Sequence, residues 1–475
     1  MEKIYLTTPI YYVNDVPHIG HAYCTLATDV LARFWRKNIG AENVRFLTGT
    51  DEHSIKTVQA AEKAGKSVEV YLEEMANNWR TTWENIGVSF DDFIRTSEDR
   101  HKKVVQEIFQ KIYDNGDIYE GVYKGLYCSG CEAFLKTTDL NEKGECPHHK
   151  KPPEKLEEKN YFFRLSKYTK PLLELFRKNP QFLEPESRRK EILSFINSGL
   201  DDVSVSRETA EIGIPLPIDP SQKVYVWFDA LINYFSAIKN TPHELFWPYA
   251  NHIIGKDITR FHAVIWPAML MSVGIEPPQQ VFGHGFFTID GEKMSKSLGN
   301  VVSPVELAQQ FGKDTVRLGL LSSFEFGSDG DFSLSDITQF HNDKLANGIG
   351  NIFYRVLVLC HKFLGGAKPI VLQSKRNEHW KNFSALMQEK KIKSAIDYFF
   401  QVMDQTNELM NKTEVWKLVK TDPEAAKKIF AELVDALETL VDISQVLLPE
   451  SAPTLRKMIG EGSELGEPKI LFERI

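Results

Sequence analysis

The chain has 475 residues, 42% of them hydrophobic, which is enough for two to four domains with substantial cores. Its net charge of −8 argues against indiscriminate polyanion binding but allows a local basic patch for RNA. Five cysteines are too few for a disulfide framework, the amino terminus does not resemble a signal peptide, and no apolar run reaches transmembrane length. A reduced, cytoplasmic compartment and no membrane contact are therefore expected.

The first predicted elements are a short buried strand at residues 4–8, a loop, and a helix that starts at Gly20. His18 and His21 flank that helix start. A helix amino terminus offers unbonded N–H groups and a partial positive charge that attract phosphate. Glycine lets a ligand approach the backbone, and imidazoles can donate hydrogen bonds to phosphoryl oxygens. The alternative is a capped helix with two surface histidines.

A second apolar run, residues 44–48, leads into Gly-Thr-Asp-Glu-His at positions 49–53. The alternation of apolar runs and amphipathic helices over residues 1–115 predicts a parallel sheet. A carboxylate just after a strand lies at the edge where open α/β sheets bind ligands, so Asp51 is a candidate binding residue. The alternative is that Asp51 caps a helix.

Two pairs of potential metal ligands interrupt this alternation. Cys128 and Cys131 form a Cys-x2-Cys pair, and Cys146 with His149 forms a Cys-x2-His pair after fourteen intervening residues. This spacing is typical of a tetrahedral structural zinc site, and it predicts one Zn²⁺ per chain. His148 competes with His149 as the fourth ligand, and free thiols in a loop are the alternative.

Near residue 200 the alternation returns, and Arg207 precedes an aromatic run at residues 224–234. A strand ending in Gly255-Lys256-Asp257 and another ending at His284 place polar groups at the same sheet edge. From the residues alone, the aromatic run could be plain core and Arg207 a surface ion-pair residue.

Two lysines, Lys293 and Lys296, lie on a segment that Gly291 and Gly299 flank, which favours a loop. Such a loop could close over a triphosphate, or it could be an exposed lysine-rich loop. From about residue 336 helical periods dominate and predict an all-α bundle. From the residues alone, Asn351 and Arg355, which share one helical face, form a solvated surface, and Trp416 is a half-buried core residue.

The His-Ile-Gly-His sequence at 18–21 and the Lys-Met-Ser-Lys-Ser sequence at 293–297 resemble the two signature motifs of class I aminoacyl-tRNA synthetases. They follow the order found in that family. The stretches at 49–53, 128–149 and 224–234 are similar to methionyl-tRNA synthetases in particular. The resemblance implies an α/β fold: a Rossmann-type parallel-sheet catalytic domain with an inserted zinc-knuckle connective peptide, followed by an all-α anticodon-binding bundle.

The resemblance also implies an order of domains. The expected parts are the first half of the catalytic domain, the connective peptide, the second half ending in the lysine loop, a stem-contact linker and the helical bundle, at residues 1–115, 116–222, 223–300, 301–345 and 346–475.

Residue roles follow from the matching motifs. The implied catalytic residues are His18, His21, Lys293 and Lys296. The implied ATP-binding residues are Gly20, Arg207, Lys256, Asp257 and Lys296. The implied methionine pocket consists of Ile10, Tyr12, Asp51, Trp227, Ala230, Leu231, Tyr234 and His284, although some family members carry proline in place of Leu231. The implied anticodon readers are Asn351, Arg355 and Trp416.

The resemblance implies that the protein joins L-methionine to ATP, with Mg²⁺, and passes the methionyl group to a methionine tRNA. A monomer is expected, because no carboxy-terminal dimerisation domain is evident. Two alternatives stay open: a class I enzyme for another amino acid, cysteine for instance, and a tRNA-binding relative that has lost catalysis. A small-molecule nucleotidyltransferase would share the first motif but have no use for the helical bundle.

Overall fold

A computed structural model describes residues 3–128, 133–135, 137, 140–147, 150–208, 210–289, 291–292, 301–370 and 374–475. Five residues assigned from the sequence lie outside these ranges: Cys131, His148, His149, Lys293 and Lys296.

Seven parallel strands form the main sheet. They are β1 (Ile4–Thr7), β2 (Tyr11–Tyr12), β3 (Val44–Asp51), β4 (Asp92–Arg95), β8 (Leu183–Glu184), β12 (Ala250–Gly255) and β13 (Gln280–His284). The order across the sheet is β4, β3, β1, β12, β13 and β8, and β2 continues beside the carboxyl half of β3. The predicted parallel sheet is therefore confirmed.

Successive side chains of each strand point to opposite faces of the sheet, and each face packs against its own hydrophobic core. Ile4 and Leu6 belong to the core on one face, and Tyr5 belongs to the core on the other. The first face is covered by α1 (Ile19–Ile39), α3 (Val68–Asn85) and α11 (Lys313–Ser322). The second is covered by α4 (Asp99–Asp114), α5 (Thr169–Lys178), α6 (Glu186–Asn197), α7 (Val226–Leu231), α8 (Asn233–Ser236) and α9 (Trp266–Ser272). Each large apolar side chain so buried stabilises the fold by about 1.5–3 kcal/mol.

A small antiparallel sheet occupies the insert. Its strands are β5 (Ile118–Cys128), β6 (Ala133–Leu135), β7 (Glu154–Phe163) and β9 (Val203–Ser204). Between β7 and β9 the chain returns to the main sheet, where β8 pairs in parallel with β13. The segment expected as a separate insert thus contributes an edge strand to the catalytic sheet.

The remaining helices and strands before the carboxy-terminal bundle are short. They are α2 (Ile55–Lys63), β10 (Ser206–Arg207), β11 (Lys223–Val224), β14 (Phe287–Ile289), α10 (Pro304–Phe311), β15 (Gly330–Phe332) and α12 (Leu334–Phe340).

The carboxy-terminal part is helical, as predicted. Its helices are α13 (Asn351–Leu364), α14 (Ser374–Gln388), α15 (Ile392–Thr413), α16 (Val415–Thr421), α17 (Pro423–Leu447) and α18 (Ala452–Ile459). A π-helical segment, His341–Gly350, joins α12 to α13 without a break, across the boundary expected at residue 345.

The bundle packs directly on the catalytic sheet's first helix. Lys37 near the end of α1 donates hydrogen bonds to Asp442 and Gln445 of α17, at 3.2 and 2.7 Å. On α11, Arg317 forms a fully buried ion pair with Asp29 of α1, at 2.6 Å. These contacts fix α1 from both sides.

Candidate functional site

The candidate site lies at the carboxyl edge of the main sheet. Because all seven strands run in parallel, the segments that follow them meet at one edge. The amino terminus of α1 follows β1 and β2, Asp51 ends β3, Lys256 follows β12 and His284 ends β13. The sequence motifs are therefore gathered in one region of the fold.

Two imidazoles form the start of α1. His18 is the cap residue, and its Nδ1 accepts a hydrogen bond from the backbone N–H of Gly20 at 3.1 Å. The backbone N–H of His18 in turn donates to Nδ1 of His21 at 3.3 Å. The two rings stack with centroids 3.8 Å apart, and the ring of His21 also meets Tyr11 and Trp79 edge-on, at 5.2 and 4.9 Å.

This geometry determines where the imidazole protons sit. Burial lowers the pKa of His18, and it lowers the pKa of His21 further below the usual range, so both rings are neutral near pH 7. A neutral ring that accepts at Nδ1 carries its hydrogen on Nε2. Within the described residues neither Nε2 has a hydrogen-bond partner. The pair therefore presents two N–H donors on the sides of the rings away from the helix backbone.

The backbone at this helix start differs from the sequence expectation. The N–H of Ile19 donates to the carbonyl of Val302 at 3.1 Å, that of Gly20 to His18, and that of His21 to the carbonyl of His18 at 3.0 Å. These N–H groups are satisfied within the protein rather than left for a phosphate. The imidazole Nε2–H groups are the donors that remain.

Asp51 and Tyr12 lie side by side in the sheet. They are register partners in the β2–β3 pair, Asp51 is buried, and Tyr12 is half-buried. The ring of Tyr12 meets the ring of Trp227 edge-on at 6.4 Å. Tyr12 thus lies next to both Asp51 and the aromatic run, and the assignment of these residues to a methionine pocket stays a prediction.

The aromatic run forms α7 and α8 and packs against the second face of the sheet. Ala230, Leu231 and Tyr234 are buried, and Ile10 is half-buried against the same core. Trp227 stacks on Phe261 with centroids 3.9 Å apart. Burial raises the pKa of the Tyr234 phenol, and the nearby negative charge of Asp51 raises it further.

His262, which the sequence reasoning assigned no role, bonds directly to this pocket. Its Nδ1 lies 3.0 Å from the carbonyl of Ile258, so Nδ1–H donates there, and its Nε2 accepts from the Tyr234 hydroxyl at 2.7 Å. Burial lowers the pKa of His262 to about 4. The signal that could have found it is a histidine inside an apolar helix that follows a sheet strand.

His284 contacts a different set of aromatic residues. Its ring stacks on Phe326 with centroids 5.6 Å apart and meets Tyr23 of α1 edge-on at 5.7 Å. Tyr23 and Phe326 belong to the core on the first face of the sheet, whereas Tyr234 belongs to the second. The structure does not bring His284 to Tyr234, and its assignment to the methionine pocket stays a prediction.

The predicted ATP-side residues fall in two places: Lys256 and Asp257 follow β12 at the carboxyl edge of the main sheet, whereas Arg207 lies on β10, which pairs with β11 outside that sheet. Arg207 is buried, donates to Ser204 Oγ at 2.9 Å, and lies with its guanidinium 4.2 Å from the Tyr225 ring centroid. Lys256 forms an ion pair with Asp329 at 2.5 Å, and Asp257 is exposed. A phosphate ligand would have to compete with Asp329 for Lys256.

Two of the four predicted zinc ligands can be placed. Cys128 ends β5, and Cys146 lies in a turn where its carbonyl accepts from the N–H of Lys150 at 2.8 Å. Both cysteines are buried, yet neither belongs to either hydrophobic core. In the part of the chain that the structure describes, no group of three potential metal ligands is found, and the other two predicted ligands lie outside it.

The predicted anticodon residues lie on two bundle helices, α13 and α16. Asn351 is exposed on α13, and Arg355 one turn later donates to Asn407 and Asn411 of α15 at 3.4 and 3.1 Å. Trp416, on α16, is half-buried against the bundle core.

Among the described residues, the helices are too short or too polar to span a lipid bilayer.

Comparison with known proteins identifies the family. A family model described as tRNA synthetases class I (M) matches residues 4–155 and 149–357. The methionine–tRNA ligase of Thermotoga maritima is 40% identical over 463 residues, which span 94% of this chain and 73% of that protein.

Solved structures agree with this match. Mycobacterium tuberculosis methionyl-tRNA synthetase in complex with methionyl-adenylate superposes with a TM-score of 0.93 at 36% identity, and the match covers 100% of both chains. The apo form of that protein gives a TM-score of 0.84 at 34% identity, over 100% of this chain and 98% of the other. The chain belongs to the methionine–tRNA ligases, a family of class I tRNA synthetases.

Proposed function

We propose that this chain activates L-methionine with ATP and transfers the methionyl group to the 3′ end of a methionine tRNA. The observation that carries the proposal is the pair of neutral imidazoles at the start of α1, with their Nε2–H groups unbonded within the described residues. They stand at the same sheet edge as a buried carboxylate and an aromatic pocket. Phosphate chemistry and amino-acid recognition thus meet at one place.

In the first step a methionine carboxylate oxygen attacks the α-phosphorus of ATP, and the bond to the bridging oxygen of pyrophosphate breaks. Negative charge shifts onto phosphate oxygens that His18 and His21 contact through Nε2–H. Donors that are held in place before the reaction stabilise such charge without reorganisation. Lys293 and Lys296 neutralise the departing pyrophosphate, and Mg²⁺ accompanies ATP. No side-chain nucleophile takes part.

The amino acid is held by charge at one end and by packing at the other. Asp51 pairs with the ammonium group. Ile10, Tyr12, Trp227, Ala230, Leu231 and Tyr234 enclose the thioether, which packs well against aromatic rings. His262 holds the Tyr234 hydroxyl, so that the pocket presents an apolar wall to the sulfur.

The insert carries a structural zinc ion held by Cys128, Cys131, Cys146 and His149. The donor set fits, because a Cys-x2-Cys pair and a Cys-x2-His pair supply three thiolates and one imidazole, a set that suits a tetrahedral ion, and the two cysteines that the structure describes are buried in the insert. A bound ion would replace a hydrophobic core in stabilising the small sheet. We expect one zinc per chain in the purified protein and less in Cys146→Ser.

The bundle reads the anticodon through Asn351, Arg355 and Trp416. Unpaired bases are recognised by stacking on aromatic rings and by hydrogen bonds to their edges. Asn407 and Asn411 hold the Arg355 guanidinium. The proposal also includes a cytoplasmic location and the predicted order of domains, with the difference that β8 of the insert pairs into the catalytic sheet.

The test is ATP-dependent charging of a methionine tRNA transcript, with and without its methionine anticodon. We expect the wild-type protein to charge the transcript that carries the methionine anticodon. The substitution Lys296→Ala should lower the rate of adenylate formation by orders of magnitude while methionine binding barely changes. Equal losses of both in Lys296→Ala would overturn its role in the transition state. A wild type that binds the transcript but never charges it would favour the non-catalytic relative.

A further inference from the structure

Asp229 is a fully buried carboxylate in the middle of the aromatic run. It lies on α7 between the pocket residues Trp227 and Ala230. Its two oxygens contact two imidazoles that come from different elements: His53, after β3, at 2.6 Å, and His101, on α4, also at 2.6 Å. The mechanism proposed above gives none of these three residues a part.

Burial of a charge is costly unless the charge is well bonded. Burial raises the pKa of Asp229, but His53 and His101 lower it more, and the resulting pKa is about 2. Asp229 is therefore an anion throughout the neutral range. The two ring nitrogens that face it donate, because a carboxylate can only accept.

The contact with His53 fixes the segment that carries Asp51. His53 lies two residues after Asp51, and its backbone N–H donates to Asp51 Oδ1 at 3.4 Å. The intervening Glu52 is held by Arg95 at 2.8 Å and by the Thr50 hydroxyl at 2.8 Å. Both residues that follow Asp51 are thus fixed by buried polar contacts.

The contact with His101 extends to the other pocket helix. His101 Nδ1 lies 2.7 Å from the Ser236 hydroxyl of α8, the helix that carries Tyr234. One carboxylate therefore connects three elements around the amino-acid pocket: the loop after β3, α7 and, through His101, α8.

We propose that Asp229 is a positioning residue for methionine recognition. Through His53 and His101 it sets the distance between the ammonium site at Asp51 and the side-chain wall at Trp227 and Tyr234. The inference rests on the proposed function, because it assumes that the pocket takes an α-amino acid. Asp229 itself does not touch the substrate.

The first experiment is ATP–pyrophosphate exchange with Asp229→Asn, which keeps the volume and removes the charge. We expect KM for methionine to rise about tenfold or more, and KM for ATP to stay within about twofold, because only the amino-acid side loses its placement. Asp314→Asn is the matched control. Asp314 is another buried aspartate, but it accepts from the backbone N–H groups of Glu450 and Ser451 in the bundle. Its KM for methionine should stay within about twofold of wild type.

A double-mutant cycle with Asp51→Asn separates positioning from general destabilisation. If Asp229 acts through Asp51, its loss adds little once Asp51 is neutral, and the two effects are strongly non-additive. Additive effects would overturn the proposal. So would Asp229→Asn raising both KM values equally.

Two milder variants keep the test decisive if Asp229→Asn does not fold. His53→Gln and His101→Gln each retain an amide donor toward Asp229 but shift its position, and each should raise KM for methionine selectively. If both fold, as shown by near-ultraviolet circular dichroism, and leave that KM unchanged, the proposal is wrong. If the wild-type protein shows no methionine-dependent exchange, the proposed function itself is wrong, and this outcome is distinct from a failure of the Asp229 proposal, which only the variants can show.

Discussion

Two pairs of histidines in this molecule share a lowered pKa but are bonded in opposite ways. His18 and His21, at the start of α1, accept from the backbone at Nδ1, and neither Nε2 has a partner within the described residues. His252 and His262, beside Tyr234, use both ring nitrogens inside the protein. His252 lies 2.8 Å from Thr7 Oγ1 and accepts from Trp266 at 3.3 Å.

The comparison shows that the function of a buried neutral imidazole depends on whether the fold bonds one of its ring nitrogens or both. In the first pair the backbone occupies one nitrogen and leaves the other as a donor for a ligand. In the second pair the fold occupies both, so the rings can only shape a wall. Two substitutions test this distinction: one removes the unbonded Nε2–H donor of His18, and the other removes the hydroxyl that donates to Nε2 of His262.

The largest effect is expected from His18→Asn. Asparagine is a favoured helix cap and can accept from Gly20, so helix stability is kept while the Nε2–H donor is lost. We expect kcat for adenylate formation to fall about 10²–10³-fold, with little change in KM for methionine. Pyrophosphate exchange measures both.

His18→Ala is the matched comparison, since it removes both the cap and the donor. It should lose a similar factor in kcat and, in addition, about 1 kcal/mol of unfolding free energy. If His18→Asn keeps wild-type kcat while His18→Ala loses it, His18 acts as a cap only.

A smaller effect is expected from Tyr234→Phe in the second pair. The change leaves His262 Nε2 buried without its donor, which costs about 1–3 kcal/mol. We expect KM for methionine to rise about tenfold while kcat stays within about threefold, because the pocket wall shifts but the phosphate donors do not. A kcat loss as large as that of His18→Asn would remove the distinction between the pairs.

The smallest effect is a pH dependence of stability. Burial lowers the pKa of His262 and of His284 from 6.5 to about 4. As pH falls below 6.5 the unfolded chain takes up protons first. Stability is therefore full above pH 6.5 and declines down to about pH 4, by on the order of 3 kcal/mol per histidine.

Urea unfolding at pH 7.0 and 5.0 measures this decline. The fully buried carboxylates Asp29 and Asp229, each with a pKa of about 2, titrate below this window and do not obscure it. His262→Gln should show a smaller difference between the two pH values than wild type. Equal unfolding free energies at both pH values in wild type would contradict the assignment of neutral buried rings.

The sequence was enough to predict the parallel sheet, the helical bundle and the position of Asp51 at the carboxyl edge of that sheet. These follow from hydrophobic periodicity and from the rule that ligand groups follow parallel strands. It did not predict β8, because a two-residue strand leaves no periodic signal. It also expected open backbone N–H groups at α1, where a carbonyl from the distant Val302 takes one of them.

The histidines show most clearly what sequence patterns omit. His284 ends a strand, and the alternation of side chains puts it against Tyr23 on the first face of the sheet, away from Tyr234. His262 lies in an apolar helix, so its sequence context predicts a core residue, yet its Nε2 accepts a hydrogen bond from the Tyr234 hydroxyl. Asp229 stands among aromatic residues, and its partners are 176 and 128 residues away in the chain. Such long-range polar contacts have no local signature.

The most direct test of the account is ATP–pyrophosphate exchange by the zinc-loaded protein with each of the twenty amino acids in turn. The account predicts methionine-dependent exchange and no comparable rate with any other amino acid, because the pocket joins a buried carboxylate to an apolar aromatic wall. Exchange with a different amino acid would keep the phosphate site at α1 and contradict the pocket assignment. Absence of exchange with all twenty would contradict the catalytic account as a whole.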